Sequence, residues 1–207
     1  MTNPVITRFS EARLPTPDGE FRVVVYRTGG EAAAGGTAVG VGKEEHVAMV
    51  LGDVHGAGVL ARVHSSCFTG EVLGSLRCDC RAQLDAALQR IGQDGRGVLV
   101  YLVQEGRGIG LGNKVAAYSL QDHGADTVEA NVALGFEADL RSYDLAAGIL
   151  RDLGVTSVRL MTNNPEKIAG LERAGMQVDT QESHWVGATE HSESYLAAKK
   201  SKLGHLA

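Results

Sequence analysis

Aromatic residues, proline and cysteine are all scarce in this chain of 207 residues, with aromatics at 5%, four prolines and three cysteines. The cysteines are odd in number and confined to positions 67–80, so metal binding or nucleophilic chemistry explains them better than a disulfide framework does. Long apolar runs are missing too, since Val98–Val103 is far shorter than the ~20 residues of a membrane helix. We expect no membrane span, and an N-terminus without a basic start or apolar segment predicts a cytoplasmic protein.

An excess of positive charge is also absent, because the formal net charge is −5 at pH 7. Binding to a nucleic-acid backbone normally needs a basic stripe, so we expect no nucleic-acid partner. A single small anionic ligand needs only local positive charge. The hydrophobic fraction of 43% and the charged fraction of 22% are ordinary for a globular protein. The length predicts a single domain over residues 1–207.

The N-terminal part of the chain has the pattern of short strands, at 21–26, 46–51 and 59–64, which are β-branched and bounded by glycine or aspartate. From residue 79 the period becomes helical, with apolar residues from Leu84 to Ile91 and Gly92 placed to end the helix. The remainder alternates strand and helix: strands at 98–103 and 157–161, and helices near 113–123, 142–153 and from Pro165 to about Gly175. We predict an α/β fold with a mixed β-sheet, its N-terminal strands antiparallel and its C-terminal strands connected by helices.

The cysteine spacing suggests a metal site. Cys67 precedes Cys78 by eleven positions, and Cys80 begins the predicted helix, where the helix N-terminus and neighbouring arginines favour thiolates. Three thiolates with an open fourth position are typical of catalytic zinc. Two alternatives remain: His64 could complete a closed structural site, or the cysteines could be small buried residues without a metal.

A series of motifs, in order along the chain, resembles the GTP cyclohydrolase II family. The motifs are Arg62-Val63-His64-Ser65-Ser66-Cys67, Ser75-Leu76-Arg77-Cys78-Asp79-Cys80, Gln104-Glu105-Gly106-Arg107-Gly108-Ile109-Gly110-Leu111, Asn113-Lys114, Asp126-Thr127-Val128-Glu129-Ala130-Asn131, Leu134-Gly135-Phe136, Thr162-Asn163-Asn164-Pro165 and Lys202-Leu203-Gly204-His205-Leu206. Several long motifs at matching spacing are far more specific than one pattern.

The resemblance implies a zinc-dependent hydrolase that converts GTP and water to formate, diphosphate and 2,5-diamino-6-(5-phosphoribosylamino)pyrimidin-4(3H)-one, the first step of riboflavin biosynthesis. It implies Zn²⁺ held by Cys67, Cys78 and Cys80 with water as fourth ligand, Mg²⁺ on the triphosphate, and a homodimer. His64 is then a bystander to the metal. The length leaves no room for the synthase domain to which the family is often fused, so we expect the monofunctional form. The alternatives are a member that stops at the formamide intermediate and an inactive nucleotide-binding homologue.

The resemblance also assigns catalytic roles. It makes Asp139 the general base and Arg141 the nucleophile toward the α-phosphate, where the sequence alone predicts only an ion pair. A guanidinium stays protonated and is a poor nucleophile, so stabilising phosphoryl charge is an alternative role for Arg141. Tyr118 is expected near the zinc site, orienting water or the formamide during the second hydrolysis.

The positions matching the family's nucleotide-binding residues are Arg62, Val63, His64, Ser65, Ser66, Gln83, Glu105, Gly106, Arg107, Thr127, Thr162 and Lys167. Lysine and arginine suit phosphate, and a glutamate suits the donor edge of guanine. One departure is visible at Ser66, where the family often has glutamate. A contact made through the backbone would tolerate that change.

Overall fold

The structure is a computed structural model that describes residues 6–28, 44–123, 130, 132–137 and 139–186. In chain order, the strands are β1 (Ile6–Thr16), β2 (Gly19–Thr28), β3 (Glu45–Leu51), β4 (Val59–Ser65), β5 (Gly97–Leu102), β6 (Ser157–Met161) and β7 (Gln177–Glu182). The helices are α1 (Phe68–Glu71), α2 (Cys80–Asp94), α3 (Gly110–Asp122), α4 (Asp144–Asp152) and α5 (Pro165–Arg173), with a 3-10 turn at Glu105–Gly108. Within this part of the chain, no helix is long and apolar enough to cross a membrane.

The strands form one mixed sheet in the order β1-β2-β3-β5-β4-β6-β7. The pairs β1–β2, β2–β3 and β3–β5 are antiparallel, whereas β4 runs parallel to both of its neighbours, β5 and β6, and β7 runs parallel to β6. The predicted fold class is confirmed. Because the chain leaves β4 for β5 on one side and later returns to β6 on the other, the strand order reverses at β4. In open α/β sheets, ligands bind at such a point, beyond the carboxyl ends of the strands.

Successive side chains along the strands point to opposite faces of the sheet, so the hydrophobic core has two parts, one on each face. One face carries Val59, Ala61 and Val63 of β4 and packs against helices α4 and α5, while Leu60 of the same strand joins Ile91 of α2 on the other face. A strand with apolar residues on both faces is the pattern of a covered sheet. Helices therefore lie on both sides and fix the edge where β4, β5 and β6 end.

Helix ends follow local sequence, with one correction. Asn164 caps α5 by accepting a hydrogen bond from the Glu166 N–H at 3.0 Å, and Pro165 occupies the first turn, as predicted. Helix α2 does not end at Gly92 but at Gly95, which has a φ of 75°. Gly92 lies inside the helix, and only glycine fits there because a Cβ would collide with the backbone of Asp18. Gly92 thus serves a close approach, whereas Gly95 serves the left-handed cap.

Candidate functional site

The three cysteines meet in the crossover that follows β4. Cys67 precedes α1 and Cys80 begins α2, and the three sulfur atoms lie within 4.8 Å of one another. The Sγ atoms of Cys67 and Cys78 are 3.6 Å apart. Gly70 faces the cluster, where a Cβ would lie 2.9 Å from the Cys78 sulfur. The group could hold a metal ion, and the missing side chain at position 70 leaves the sulfur atoms room.

The surroundings of the cluster favour a thiolate at Cys67. Hydrogen bonds from Cys78 and Cys80 lower the pKa of the Cys67 thiol, and the Lys114 ammonium, 3.0 Å from this sulfur, lowers it further. The hydrogen bonds with Cys67 raise the pKa values of Cys78 and Cys80, since a second thiolate beside the first is disfavoured. Thiolates are the metal-binding form of cysteine, and several of them together need a compensating cation.

His64, the alternative fourth ligand, is engaged elsewhere. Its Nε2 atom lies 2.7 Å from a carboxylate oxygen of Glu71, and the Tyr101 hydroxyl donates to the other oxygen of that carboxylate at 2.5 Å. Both His64 and Glu71 are buried. Burial lowers the pKa of His64. The imidazole is therefore hydrogen-bonded to Glu71 rather than grouped with the three sulfur atoms.

Tyr118 lies beside the cysteine cluster, on helix α3. Its hydroxyl is 3.2 Å from the Thr69 hydroxyl, which in turn is 3.8 Å from the Cys67 sulfur. The Arg77 guanidinium sits 4.9 Å from the centre of the Tyr118 ring. Burial raises the pKa of Tyr118, so the phenol stays protonated near neutral pH. The structure thus brings a proton donor close to the predicted metal ligands.

Glu105 connects three segments around the site. One carboxylate oxygen accepts a hydrogen bond from the Phe68 N–H at 2.6 Å, and the other accepts from Lys114 Nζ at 2.7 Å and from the Gly106 N–H at 2.9 Å. The carboxylate therefore joins the start of α1, the 3-10 turn and α3. The next two residues, Gly106 and Arg107, both have a φ of 61°, a conformation that is unfavourable for arginine.

Asp139 and Arg141 form an ion pair against the same turn. The Arg141 guanidinium donates to both carboxylate oxygens of Asp139, with an Nε–Oδ1 distance of 2.8 Å. The intervening Leu140 donates its N–H to the Arg107 carbonyl at 3.1 Å. Burial opposes ionisation of Asp139, but the hydrogen bonds and charge of Arg141 outweigh it and lower the pKa of the carboxyl group. The predicted base is thus held as a carboxylate.

Arg62, one of the predicted nucleotide-binding residues, is buried. It donates to the Met161 carbonyl at 2.8 Å and to the side chain of Gln83, whose amide donates to Asp79 at 2.6 Å. Burial lowers the pKa of Arg62 to about 10, and charge interactions connect it with Asp79, Cys80 and Arg141. The charge of Arg62 therefore interacts with one residue of the cysteine cluster, Cys80, and with Arg141 of the Asp139–Arg141 pair.

The remaining predicted residues follow β6. Lys167 of α5 is buried and donates to the Val63 carbonyl at 2.7 Å, and the Thr162 hydroxyl accepts from the Asn164 N–H at 3.0 Å. The segments after β4, β5 and β6 are thereby brought to one edge of the sheet, at the reversal of strand order. Thr127 lies outside the described residues.

Several buried polar atoms around this edge have no hydrogen-bond partner among the described residues. The predicted nucleotide-binding residues supply five of these atoms: Arg62 Nε, His64 Nδ1, Ser65 Oγ, Ser66 Oγ and Arg107 Nη1. Buried polar groups are ordinarily satisfied, so a cluster of unsatisfied groups is typical of a site that receives a polar ligand. Gln104 Oε1 and the Tyr143 hydroxyl also lack partners in the described part of the chain; in the sequence, Gln104 is only part of a motif and Tyr143 was not identified.

Lys114 is a further residue that the sequence reasoning missed. It contacts both Cys67 and Glu105, yet in the sequence it is only part of an Asn113-Lys114 motif. The available signal was its spacing from Tyr118, since residues four apart on a helix share one face. A helix that presents Tyr118 to the cysteines therefore presents Lys114 to them as well.

Comparison with known proteins identifies the family. The GTP cyclohydrolase-2 of Hahella chejuensis is 50% identical over 202 residues, which cover 97% of this chain and 92% of that protein. The GTP cyclohydrolase-2 of Azotobacter vinelandii is 53% identical over 196 residues, covering 94% and 89% of the two chains. The riboflavin biosynthesis protein RibBA of Bacillus subtilis is 52% identical over 204 residues, and this chain spans 48% of its length. Residues 7–183 match the family described as GTP cyclohydrolase II, and the chain belongs to that family.

Proposed function

We propose that this protein hydrolyses GTP in riboflavin biosynthesis, opening the imidazole ring of guanine to release formate and cleaving the triphosphate to release diphosphate. The pyrimidine product is 2,5-diamino-6-(5-phosphoribosylamino)pyrimidin-4(3H)-one. The proposal rests on one observation above the others. Three cysteine sulfur atoms converge within 4.8 Å at the same sheet edge as five unsatisfied polar atoms of predicted nucleotide-binding residues.

The cysteine cluster fits a zinc ion with an open coordination position. Three sulfur donors suit zinc, and the space opposite Gly70 would be lost to any side chain there. When bound, zinc supplies Lewis-acid chemistry that makes water nucleophilic near neutral pH. The protein's own contribution at this point is the Tyr118 hydroxyl, which orients water or the formamide by hydrogen bonding.

The phosphate chemistry falls to the Asp139–Arg141 pair. Arg141 is a cation whose partner Asp139 stabilises its protonated form, so we assign it to stabilising charge on the α-phosphoryl group rather than to covalent attack. An entering phosphate competes with Asp139 for the guanidinium. Release from that pair raises the pKa of Asp139, and the freed carboxylate can then accept a proton.

Recognition of the nucleotide is divided between cations and one carboxylate. Arg62 and Lys167 bring two buried positive charges to the edge where the phosphates bind, with Arg107 on the adjacent turn. Three hydrogen bonds from described residues reach the Glu105 carboxylate, which has about four acceptor positions, so one position among these residues is available to a donor of the guanine base.

Magnesium enters this scheme with the substrate, as the complex of Mg²⁺ with the triphosphate. We also propose a homodimer, which is supported by exposed apolar side chains after Cys67, namely Phe68, Val72, Leu73 and Leu76. A cytoplasmic location stays a prediction from the sequence. Sedimentation analysis of the purified protein tests the dimer.

The deciding experiment incubates the zinc-loaded protein with GTP and Mg²⁺ and measures formate, diphosphate and the pyrimidine together. Equal yields of all three support the proposal. Diphosphate with a formamide product and no formate indicates a member that stops early, and no product indicates an inactive homologue. Cys78→Ser should lose both zinc and formate release, because two remaining thiolates are too few for a tight site. His64→Ala should keep the zinc.

A further inference from the structure

Lys114 is a largely buried cation placed between the Cys67 sulfur and the Glu105 carboxylate. Its Nζ atom lies 3.0 Å from the Cys67 sulfur and 2.7 Å from a carboxylate oxygen of Glu105. The Lys114 and Glu105 side chains are each only 12% exposed. Water therefore contributes little to the solvation of this ammonium group, which depends on these two contacts.

The two contacts belong to different parts of the proposed reaction. Cys67 is a predicted metal ligand, whereas Glu105 begins the turn that carries Gly106 and Arg107 of the nucleotide site. Glu105 also accepts a hydrogen bond from the N–H of Phe68, the residue directly after Cys67. Lys114 therefore contacts the Cys67 sulfur atom, and Glu105 binds the backbone N–H on the carboxyl side of Cys67.

An N–H donor on a ligating sulfur acts in two ways. It fixes the direction of the cysteine side chain, and it reduces the negative charge that three thiolates would otherwise concentrate at one point. A lysine suits the second purpose because its charge is compact and its donors rotate freely. Arg77, the other cation near Tyr118, pairs with Asp122 instead.

We propose that Lys114 is a positioning residue that holds the Cys67 sulfur ready for metal and couples the metal centre to the Glu105–Arg107 turn. The inference rests on the proposed function, because it assumes that Cys67, Cys78 and Cys80 bind zinc. Loss of the ammonium should weaken zinc binding in the absence of nucleotide. It should also weaken GTP binding, because the Glu105 carboxylate loses the cation that orients it.

The experiment compares Lys114→Met with Arg77→Met, which removes a nearby positive charge that pairs elsewhere. Zinc affinity is measured by competition with a chromogenic chelator, with no GTP present. We expect a loss of about 10- to 100-fold for Lys114→Met, the range found when partners of metal ligands are removed, and a change of less than about threefold for Arg77→Met. Cobalt-substituted protein adds a direct readout, since the sulfur-to-cobalt charge-transfer band should shift in Lys114→Met alone.

Two outcomes would overturn the inference: zinc affinity of Lys114→Met equal to that of the parent, or equal losses in both variants, which would indicate a general field effect. If Lys114→Met does not fold, as judged by circular dichroism, Lys114→Gln replaces it under the same criteria. Lys114→Arg, which keeps the charge, should bind zinc more tightly than either neutral variant, and the reverse order would contradict the proposal. Failure of the parent itself to bind zinc would instead refute the proposed function, so the two failures are distinguishable.

Discussion

Substituting alanine for Gly70 should weaken metal binding while leaving the local helix intact. The Cβ of Gly70→Ala would lie 2.9 Å from the Cys78 sulfur and 3.3 Å from the Cys67 sulfur, against an ordinary lower limit of 3.4 Å. Overpacking of this kind costs about 1–3 kcal/mol. If the sulfur atoms move to relieve it, zinc affinity should fall about ten- to a hundredfold, at about 1.4 kcal/mol for each factor of ten.

Backbone preference works in the opposite direction, which makes the test discriminating. Gly70 lies in helix α1, and alanine is favoured over glycine in a helix by roughly 0.5–1 kcal/mol. A matched control is Gly112→Ala, because Gly112 lies in helix α3 with nothing within 4 Å of its Cβ position. The control should unfold at slightly higher temperature and keep the parent's zinc affinity.

Zinc content by mass spectrometry, chelator competition and thermal unfolding of the metal-free proteins complete the comparison. We expect Gly70→Ala to lose zinc affinity without a large loss of metal-free stability. Parent-like zinc affinity in Gly70→Ala would refute the idea that this glycine keeps the space for the sulfur atoms.

Three further predictions concern the phosphate chemistry, recognition of the guanine base, and stability at acid pH. Arg141→Ala should lower kcat by about 100-fold while weakening GTP binding much less, because in the proposed function its charge acts most on the reacting phosphoryl group; equal losses would make it a binding residue only. ATP should be used about 5- to 150-fold less efficiently than GTP, since an acceptor such as Glu105 left without a donor costs about 1–3 kcal/mol, and similar kcat/KM values would contradict this. Burial, and secondly the charge of Arg62, lowers the pKa of His184 from 6.5 to about 3. Between these pH values the unfolded state binds a proton that the folded state does not bind. The contribution of His184 to the free energy of unfolding is therefore complete above pH 6.5 and is lost as the pH falls toward 3. Between pH 7 and 5 the free energy of unfolding, measured in urea, should fall by about 2 kcal/mol from this cause, and this part of the fall should be missing in His184→Gln. Identical pH profiles for the parent and His184→Gln would exclude His184 as the cause.

Sequence patterns predicted the strands inside the sheet but not the two edge strands, β1 and β7. Strand β6 was predicted at 157–161, its observed limits, because three of its five residues are apolar, whereas β1 and β7 were not predicted. Both edge strands are largely exposed and polar, so they carry no alternation that a pattern could detect. The pairing of β3 with β5 also escaped prediction, since β4 follows β3 directly in the chain.

The cysteine cluster was predictable from local spacing, and its electrostatic environment was not. Cys67, Cys78 and Cys80 lie within one short stretch, and the motif they form is specific. The Lys114 contact joins residues 47 positions apart, and the Arg62 contact with Met161 joins residues 99 apart. Contacts of that separation depend on how α3 and β6 pack, which no short pattern specifies.

The reversal of strand order at β4 has a consequence for the order in which the two halves of the site can assemble. The proposed metal ligands all come from residues 67–80, within a single crossover, whereas the proposed nucleotide-binding residues extend from Arg62 to Lys167. Bringing the ends of segment 62–167 together costs roughly 2 kcal/mol more in chain entropy than closing segment 67–80, because this cost grows with the logarithm of loop length. The sulfur cluster can therefore form while the sheet is incomplete, and the nucleotide site only after β6 has docked. If the cysteines bind zinc as proposed, a nascent chain would bind its metal before it can bind a nucleotide.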